Sequence, residues 1–187
     1  MAAPLVRFTG KMAERILRSE YLYRGSLLKL RLDQVRLENQ NVVAREIVEH
    51  PGAVAIVALD PQSRVLMVRQ YRAGASRETL EIPAGTLGEG EDPALCATRE
   101  LKEETGYAAA RWDPMGAFFS SPGFCTERMH LFLARELTAG TATPEEDESI
   151  TVEWLPLAQA LDAIESGEIV DGKSMVGLLR VWRKLSQ

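Results

Sequence analysis

Cysteine and histidine are scarce in this chain, two of each among 187 residues. Cys96 and Cys125 cannot make a disulfide framework, and Cys96 falls inside a predicted helix, so both are expected to be free thiols in a reducing compartment. His50 and His130 lack the partner spacing of a metal site and are expected to be ordinary core or surface histidines. No apolar run approaches the length that crosses a bilayer, and the first residues lack the apolar stretch of a secretory signal. A cytoplasmic location is the expectation that follows. Basic charge is also short: 22 Lys and Arg stand against 27 Asp and Glu, a net charge of −5. Such a chain has no electrostatic hold on a nucleic-acid backbone. Internal repeats and low-complexity segments are missing too. What is present, 45% hydrophobic and 26% charged residues, suits one globular core with a short extension.

The pass along the chain divides it at Pro51-Gly52. Before that point, residues 15–35 and 41–49 read as strands of an N-terminal antiparallel extension, residues 1–50. After it, residues 53–60 and 64–72 flank a turn at Pro61-Gln62-Ser63 and predict a buried hairpin. Residues 79–85 form a short strand leading to a glycine-bearing loop and a helix. Strands follow at 108–119, 128–136 and 150–155, then helices over 157–166 and 173–185. This order predicts a mixed α/β sandwich for residues 51–187. Trp112, Trp154 and Trp182 are expected to pack.

Chemistry concentrates in residues 85–107, GTLGEGEDPALCATRELKEETGY. Glu100 and Glu104 are four apart and share a helical face, with Glu103 beside them. Carboxylates that close repel unless a cation lies between them. Hard divalent ions take carboxylate oxygens together with substrate phosphates. The opposite face carries Ala94, Ala97 and Leu101, a stripe suited to packing on a sheet. Gly85, Gly88 and Gly90 give a flexible loop, but without a lysine-serine end it is no P-loop. The cluster points to metal-assisted phosphate chemistry, with Glu100 and Glu104 as metal ligands and Glu103 as a further ligand or a positioner of water. Glu91 and Arg99 are expected to form a salt bridge fixing loop to helix, or Glu91 to touch a metal.

The spacing of Gly85, Glu91, Arg99, Glu100, Glu103, Glu104 and Gly106 resembles the Nudix box, the signature of hydrolases of nucleoside diphosphates linked to another group. Tyr107 stands where an aliphatic residue is usual. The resemblance covers roughly residues 52–185 and implies the Nudix fold, an α/β/α sandwich on a mixed sheet. Pro122, sixteen residues after Gly106, resembles the ADP-ribose pyrophosphatase branch. So do Val68-Arg69-Gln70-Tyr71-Arg72, Glu81-Ile82-Pro83-Ala84-Gly85, Tyr21-Leu22-Tyr23-Arg24-Gly25 and residues 45–50.

That resemblance implies the roles of further residues. The backbone carbonyl of Ala84 joins Glu100, Glu103 and Glu104 as a metal ligand, for two or three Mg²⁺ ions, with Mn²⁺ or another divalent ion as the alternative. A glutamate pair in the acidic run maps to Glu146 and Glu148, base and metal contact, with Glu103 as the competing base and Arg99 as a catalytic-site residue. Arg72 grips phosphate, because a guanidinium holds two oxygens at once, or is simply an exposed strand-end arginine. Ser121, Gly123 and Glu127 would meet the terminal ribose, Glu46 the adenosine end, and Tyr23 or Tyr21 would stack on the base or merely pack. The implied activity is Mg²⁺-dependent cleavage of ADP-ribose to AMP and ribose 5-phosphate by a homodimer whose N-terminal strands help build the partner's pocket. Another nucleoside diphosphate sugar such as GDP-mannose is the alternative substrate. A noncatalytic nucleotide-sensing module is the alternative class, which a lost box glutamate would favour, and none is lost.

Overall fold

A computed structural model describes residues 14–143 and 149–187. It contains ten strands and three α-helices, and the contacts separate the chain into two compact units. The first comprises the described residues through His50 together with Gly123–Thr126. Its strands β1 (Glu14–Arg24), β2 (Lys29–Leu37) and β3 (Val42–Glu49) form an antiparallel sheet in the order β1-β2-β3. The sheet carries large apolar side chains that are poorly covered: Ile16, Leu22, Tyr23 and Val42 each stand more than half exposed. Asp33 and Val35 are the exceptions to the sheet's openness: both are buried, and Asp33 accepts both prongs of the Arg31 guanidinium at 2.8 and 2.9 Å. The segment 123–126 is tied to the same unit by Val48 N–H donating to the Phe124 carbonyl.

The second unit, Pro51–Pro122 with Glu127–Gln187, holds a seven-stranded mixed sheet. Strands β4 (Ala53–Leu59), β5 (Arg64–Arg72), β8 (Tyr107–Phe119), β9 (Arg128–Ala139) and β10 (Thr151–Pro156) run in the order β10-β5-β4-β9-β8. Short strands β6 (Arg77–Glu81) and β7 (Ala84–Thr86) attach to β5 and β4. The expected hairpin of residues 53–72 is present as strands but barely as a pair: only Ala58 and Leu59 face β5 directly. Instead β4 runs parallel to β9 and takes β7 on its other side. All seven residues of β4, AVAIVAL, are buried, as a strand covered on both faces requires.

Helices supply that cover. On one face, α2 (Leu157–Glu165) and α3 (Gly172–Leu185) pack over Ala55, Val57, Met67, Leu80, Ile82 and Leu131. On the other, α1 (Pro93–Thr105) packs Cys96, Ala97 and Leu101 against Val54, Ile56, Leu66 and Phe132. The mixed α/β sandwich expected from the element order, with the α/β/α layering that the resemblance implied, is thus the architecture of this unit. Trp112 and Trp154 border the second core, and Trp154 meets Tyr107 edge-on at 5.5 Å. Trp182 departs from expectation. It sits on the outer side of α3 and is 49% exposed. Among the described residues no helix is long and apolar enough to cross a membrane.

Candidate active site

Local chemistry delimits α1 at both ends. The Asp92 carboxylate accepts from the N–H groups of Ala94 and Leu95, and Pro93 occupies the first turn, where no N–H is needed. Gly106 ends the helix in the left-handed region at φ 76°, and a Cβ there would lie 2.6 Å from the Ala142 nitrogen, so only glycine fits. Between these caps, Arg99, Glu100, Glu103 and Glu104 fall on adjoining turns. The apolar stripe differs from the expected one in one member: Ala94 is exposed and Cys96 takes its place against the sheet.

The loop before α1 is pulled onto it. A Cβ at Gly85 would stand 1.8 Å from the Glu100 carboxyl carbon, so the backbone approaches that carboxylate as only glycine permits. The Ala84 N–H donates to Glu104 Oε2 at 3.1 Å, and Glu104 is 4% exposed. The Gly88 N–H donates to Glu91 Oε2 at 2.8 Å. Arg99 then ties the acids together. Its Nε and Nη2 meet the two Glu91 oxygens at 3.0 and 3.1 Å, and its Nη1 lies 2.7 Å from Glu100 and 2.8 Å from Glu103. Hydrogen bonds from Arg99 and then from the Gly88 backbone hold the Glu91 carboxyl down at about 2. Cys96 lies under this cluster, and burial followed by the Glu91 charge pushes its thiol up to about 12, so it stays protonated and inert at neutral pH.

Beside this cluster lies a cavity of about 340 Å³ whose lining includes Arg72, Ala84, Gly85, Glu100, Glu103 and Glu104. An acidic helix thus faces an arginine across a backbone loop. The comparisons with known proteins agree with this geometry. The NUDIX domain model matches residues 49–175. The ADP-ribose pyrophosphatase of Bacillus subtilis (strain 168) is 41% identical over 165 residues, covering 87% of this chain and 89% of that protein. The chain belongs to the Nudix family. A methanol dehydrogenase activator of Bacillus methanolicus is 40% identical over 172 residues, covering 90% of this chain and 93% of that protein. A solved structure of an ADP compounds hydrolase superposes with a TM-score of 0.84 over 95% of this chain and 96% of its own, at 23% identity, a likeness of fold.

As a Nudix hydrolase the chain is expected to work with divalent ions, and the donors can be tested for fit. Among the described residues no three acidic, histidine or cysteine side chains form a ready-made cage. Mg²⁺ does not ask for one, since it binds through one or two carboxylates, waters and substrate phosphates. Glu100, at 13% side-chain exposure, and Glu104 border the cavity beside the backbone of Ala84, all hard oxygen donors. Arg99 already supplies the positive charge between Glu100 and Glu103. The donor chemistry suits a hard divalent ion at Glu100, Glu104 and the Ala84 carbonyl.

The remaining sequence-expected residues distribute between the units. Arg72, Arg99, Glu100, Glu103 and Glu104 come together at the cavity. Ser121 and Glu127 belong to the second unit, on the turn between β8 and β9, where the Ser120 N–H donates to the Glu127 carbonyl at 3.2 Å. Tyr23 on β1, Glu46 on β3 and Gly123 belong to the first unit, with Tyr23 58% exposed. Glu146 and Glu148 lie outside the described residues. The sequence reading missed Glu81 and Lys173. Arg72 donates to Glu81 through Nε at 2.9 Å and Nη2 at 2.7 Å, and the Lys173 ammonium pairs with the same carboxylate. Only a charged residue inside the otherwise apolar approach TLEIPAG signalled it.

Proposed function

We propose that this Nudix hydrolase cleaves the pyrophosphate of ADP-ribose, giving AMP and ribose 5-phosphate. The observation that carries the reading is the cavity in which Arg72 faces the box carboxylates. A diphosphate ester needs both: a cation for oxygens that stay with the phosphates, and acidic ligands for the metal that neutralises the rest. The choice of ADP-ribose over another nucleoside diphosphate sugar draws on the relative of that name and on the Ser121–Glu127 turn.

In this reading Glu100, Glu104 and the Ala84 carbonyl hold Mg²⁺, two or three ions in all. Bound there, the ions would polarise the phosphoryl oxygens and lower the pKa of water. Arg72 orients the diphosphate by the distal end of its guanidinium, and Arg99 bridges Glu100 and Glu103 while locking the loop through Glu91. Glu146 and Glu148 serve as base and metal contact, with Glu103 at the cavity as the competing base. Ser121, Gly123 and Glu127 take the terminal ribose, Glu46 and Tyr23 the adenosine. The exposed apolar residues of the N-terminal sheet support a homodimer that shares its nucleoside pockets, and the free thiols suit the cytoplasm.

The test is product analysis with Mg²⁺ and a panel of ADP-ribose, GDP-mannose, UDP-glucose, NADH and a nucleoside triphosphate. AMP released chiefly from ADP-ribose is the expected result. Preferential cleavage of another diphosphate keeps the box chemistry and removes the substrate assignment. Tight binding without turnover would replace the enzyme reading by that of a nucleotide sensor.

A further inference from the structure

The Glu81 carboxylate is 2% exposed, yet four donors converge on it. Its Oε1 accepts from Arg72 Nε at 2.9 Å and from the Thr79 hydroxyl at 2.6 Å. Its Oε2 accepts from Arg72 Nη2 at 2.7 Å and from the Lys173 ammonium. A carboxylate has about four acceptor sites, so this one is saturated. Burial opposes its ionised form, but Arg72, Lys173 and Thr79 together outweigh burial and hold its carboxyl down at about 2. Lys173 is fixed in turn by Asp171 at 3.0 Å, and Asp171 caps α3 through the Ser174 N–H at 2.9 Å. The Ser174 hydroxyl accepts from the Ile82 N–H at 2.9 Å. The start of α3 thereby clamps the backbone between Glu81 and the site loop.

Arg72 has two edges, and they differ. The Nε–Nη2 edge is fully occupied by Glu81, whereas Nη1 has no partner among the described residues although the side chain is 42% exposed at the cavity wall. A back edge that is bonded and a distal end that is open is what presenting a guanidinium to an anion requires. The alternative partners are close by: the Glu104 charge already acts on Arg72. Without its anchor, a flexible arginine beside that acidic helix would fold onto the carboxylates and be lost to the substrate.

We propose that Glu81 is a positioning residue: it holds Arg72 by the back edge, with Lys173 completing the anchor, so that the distal end is presented to a diphosphate in the cavity. The inference rests on the functional reading above. It predicts that E81Q raises KM for ADP-ribose about tenfold with little change in kcat, the pattern of a lost contact made equally in ground and transition states. It also predicts a coupling: in an R72A background, E81Q adds no further loss, because the residue through which Glu81 acts is gone. Independent, multiplicative effects in that cycle, or an unchanged KM in E81Q, would overturn the proposal.

Removing a buried anion beside two cations can unfold the protein, which circular dichroism would reveal. In that case the same cycle is run in a K173M background, where E81Q removes one charge of each sign and the comparison among E81Q/K173M, R72A/K173M and the triple variant carries the same two outcomes. If the unmodified protein cleaves none of the panel substrates, the functional reading fails on its own. The cycle is then read by calorimetric binding of inorganic pyrophosphate, where an Arg72-dependent affinity lost in E81Q supports the anchor. Affinity indifferent to Glu81, or absent altogether, overturns it.

Discussion

At the scale of single residues, the site is a set of acids kept together by one arginine and one missing side chain. Glu104 is buried and takes the Ala84 N–H, so a glutamine there keeps the shape and an acceptor while removing the charge. E104Q is expected to lower kcat by roughly 10²-fold or more with Mg²⁺ while the thermal unfolding midpoint moves little. Near-normal turnover would mean that Glu104 is not a metal ligand. Gly85 tests the same geometry from the other side. A methyl group 1.8 Å from the Glu100 carboxyl carbon must drive that side chain out of place. G85A is therefore expected to lose activity on the scale of E100Q while unfolding at nearly the native temperature, since the displaced group is the end of a flexible side chain. A variant that keeps wild-type kcat would show that Glu100 works from elsewhere. These residues were legible beforehand because a helix converts spacing into a shared face without help from the rest of the chain. Glu81 was not. Its partner Lys173 lies 92 positions away, and only the sheet and α3 together bring the two into contact.

At the scale of elements, legibility followed the range of the interactions. The strand and helix positions could be read from alternation, turns and caps, which are local. The partners of β4 could not: a short pairing with β5 and a long parallel one with β9 depend on closing the whole sheet. Trp182 escaped for a related reason, because the side of α3 that it occupies is set by the depth at which Leu178 and Val181 enter the core. The contact between β6 and α3 has a consequence in acid. Glu81 titrates at about 2 in the folded chain against an ordinary 4.5. A carboxyl depressed on folding stabilises the native state above its unfolded pKa, and that contribution is lost as pH falls through the folded value. The shift corresponds to about 3 kcal/mol, fully present above roughly pH 5 and fading toward about pH 2. Urea unfolding of the wild type and E81Q should therefore show a stability gap that shrinks across this window. A gap of constant size would mean that Glu81 holds β6 to α3 by shape rather than by charge.

At the scale of the whole molecule, the N-terminal sheet exposes more apolar surface than an isolated surface layer accounts for. Ile16 is 55% exposed, Leu22 54%, Tyr23 58% and Val42 52%. Exposed apolar surface marks an interaction site when it is contiguous over more than a few hundred Å², and a second copy of the chain is the occupant proposed for these side chains. Placing carboxylates on that surface keeps the chain intact while making burial costly, since a desolvated, unpaired charge is strongly disfavoured. The double variant I16D/L22D is expected to sediment as a monomer at concentrations where the wild type is a dimer. Its second unit, with its own two-faced core, should unfold at nearly the native temperature. If the pockets are shared between copies, the same variant should raise KM for ADP-ribose while the Glu104-dependent chemistry persists at saturating substrate. A dimer that survives the substitutions places the contact elsewhere. A monomer with an unchanged KM separates assembly from substrate binding and confines the site to the second unit.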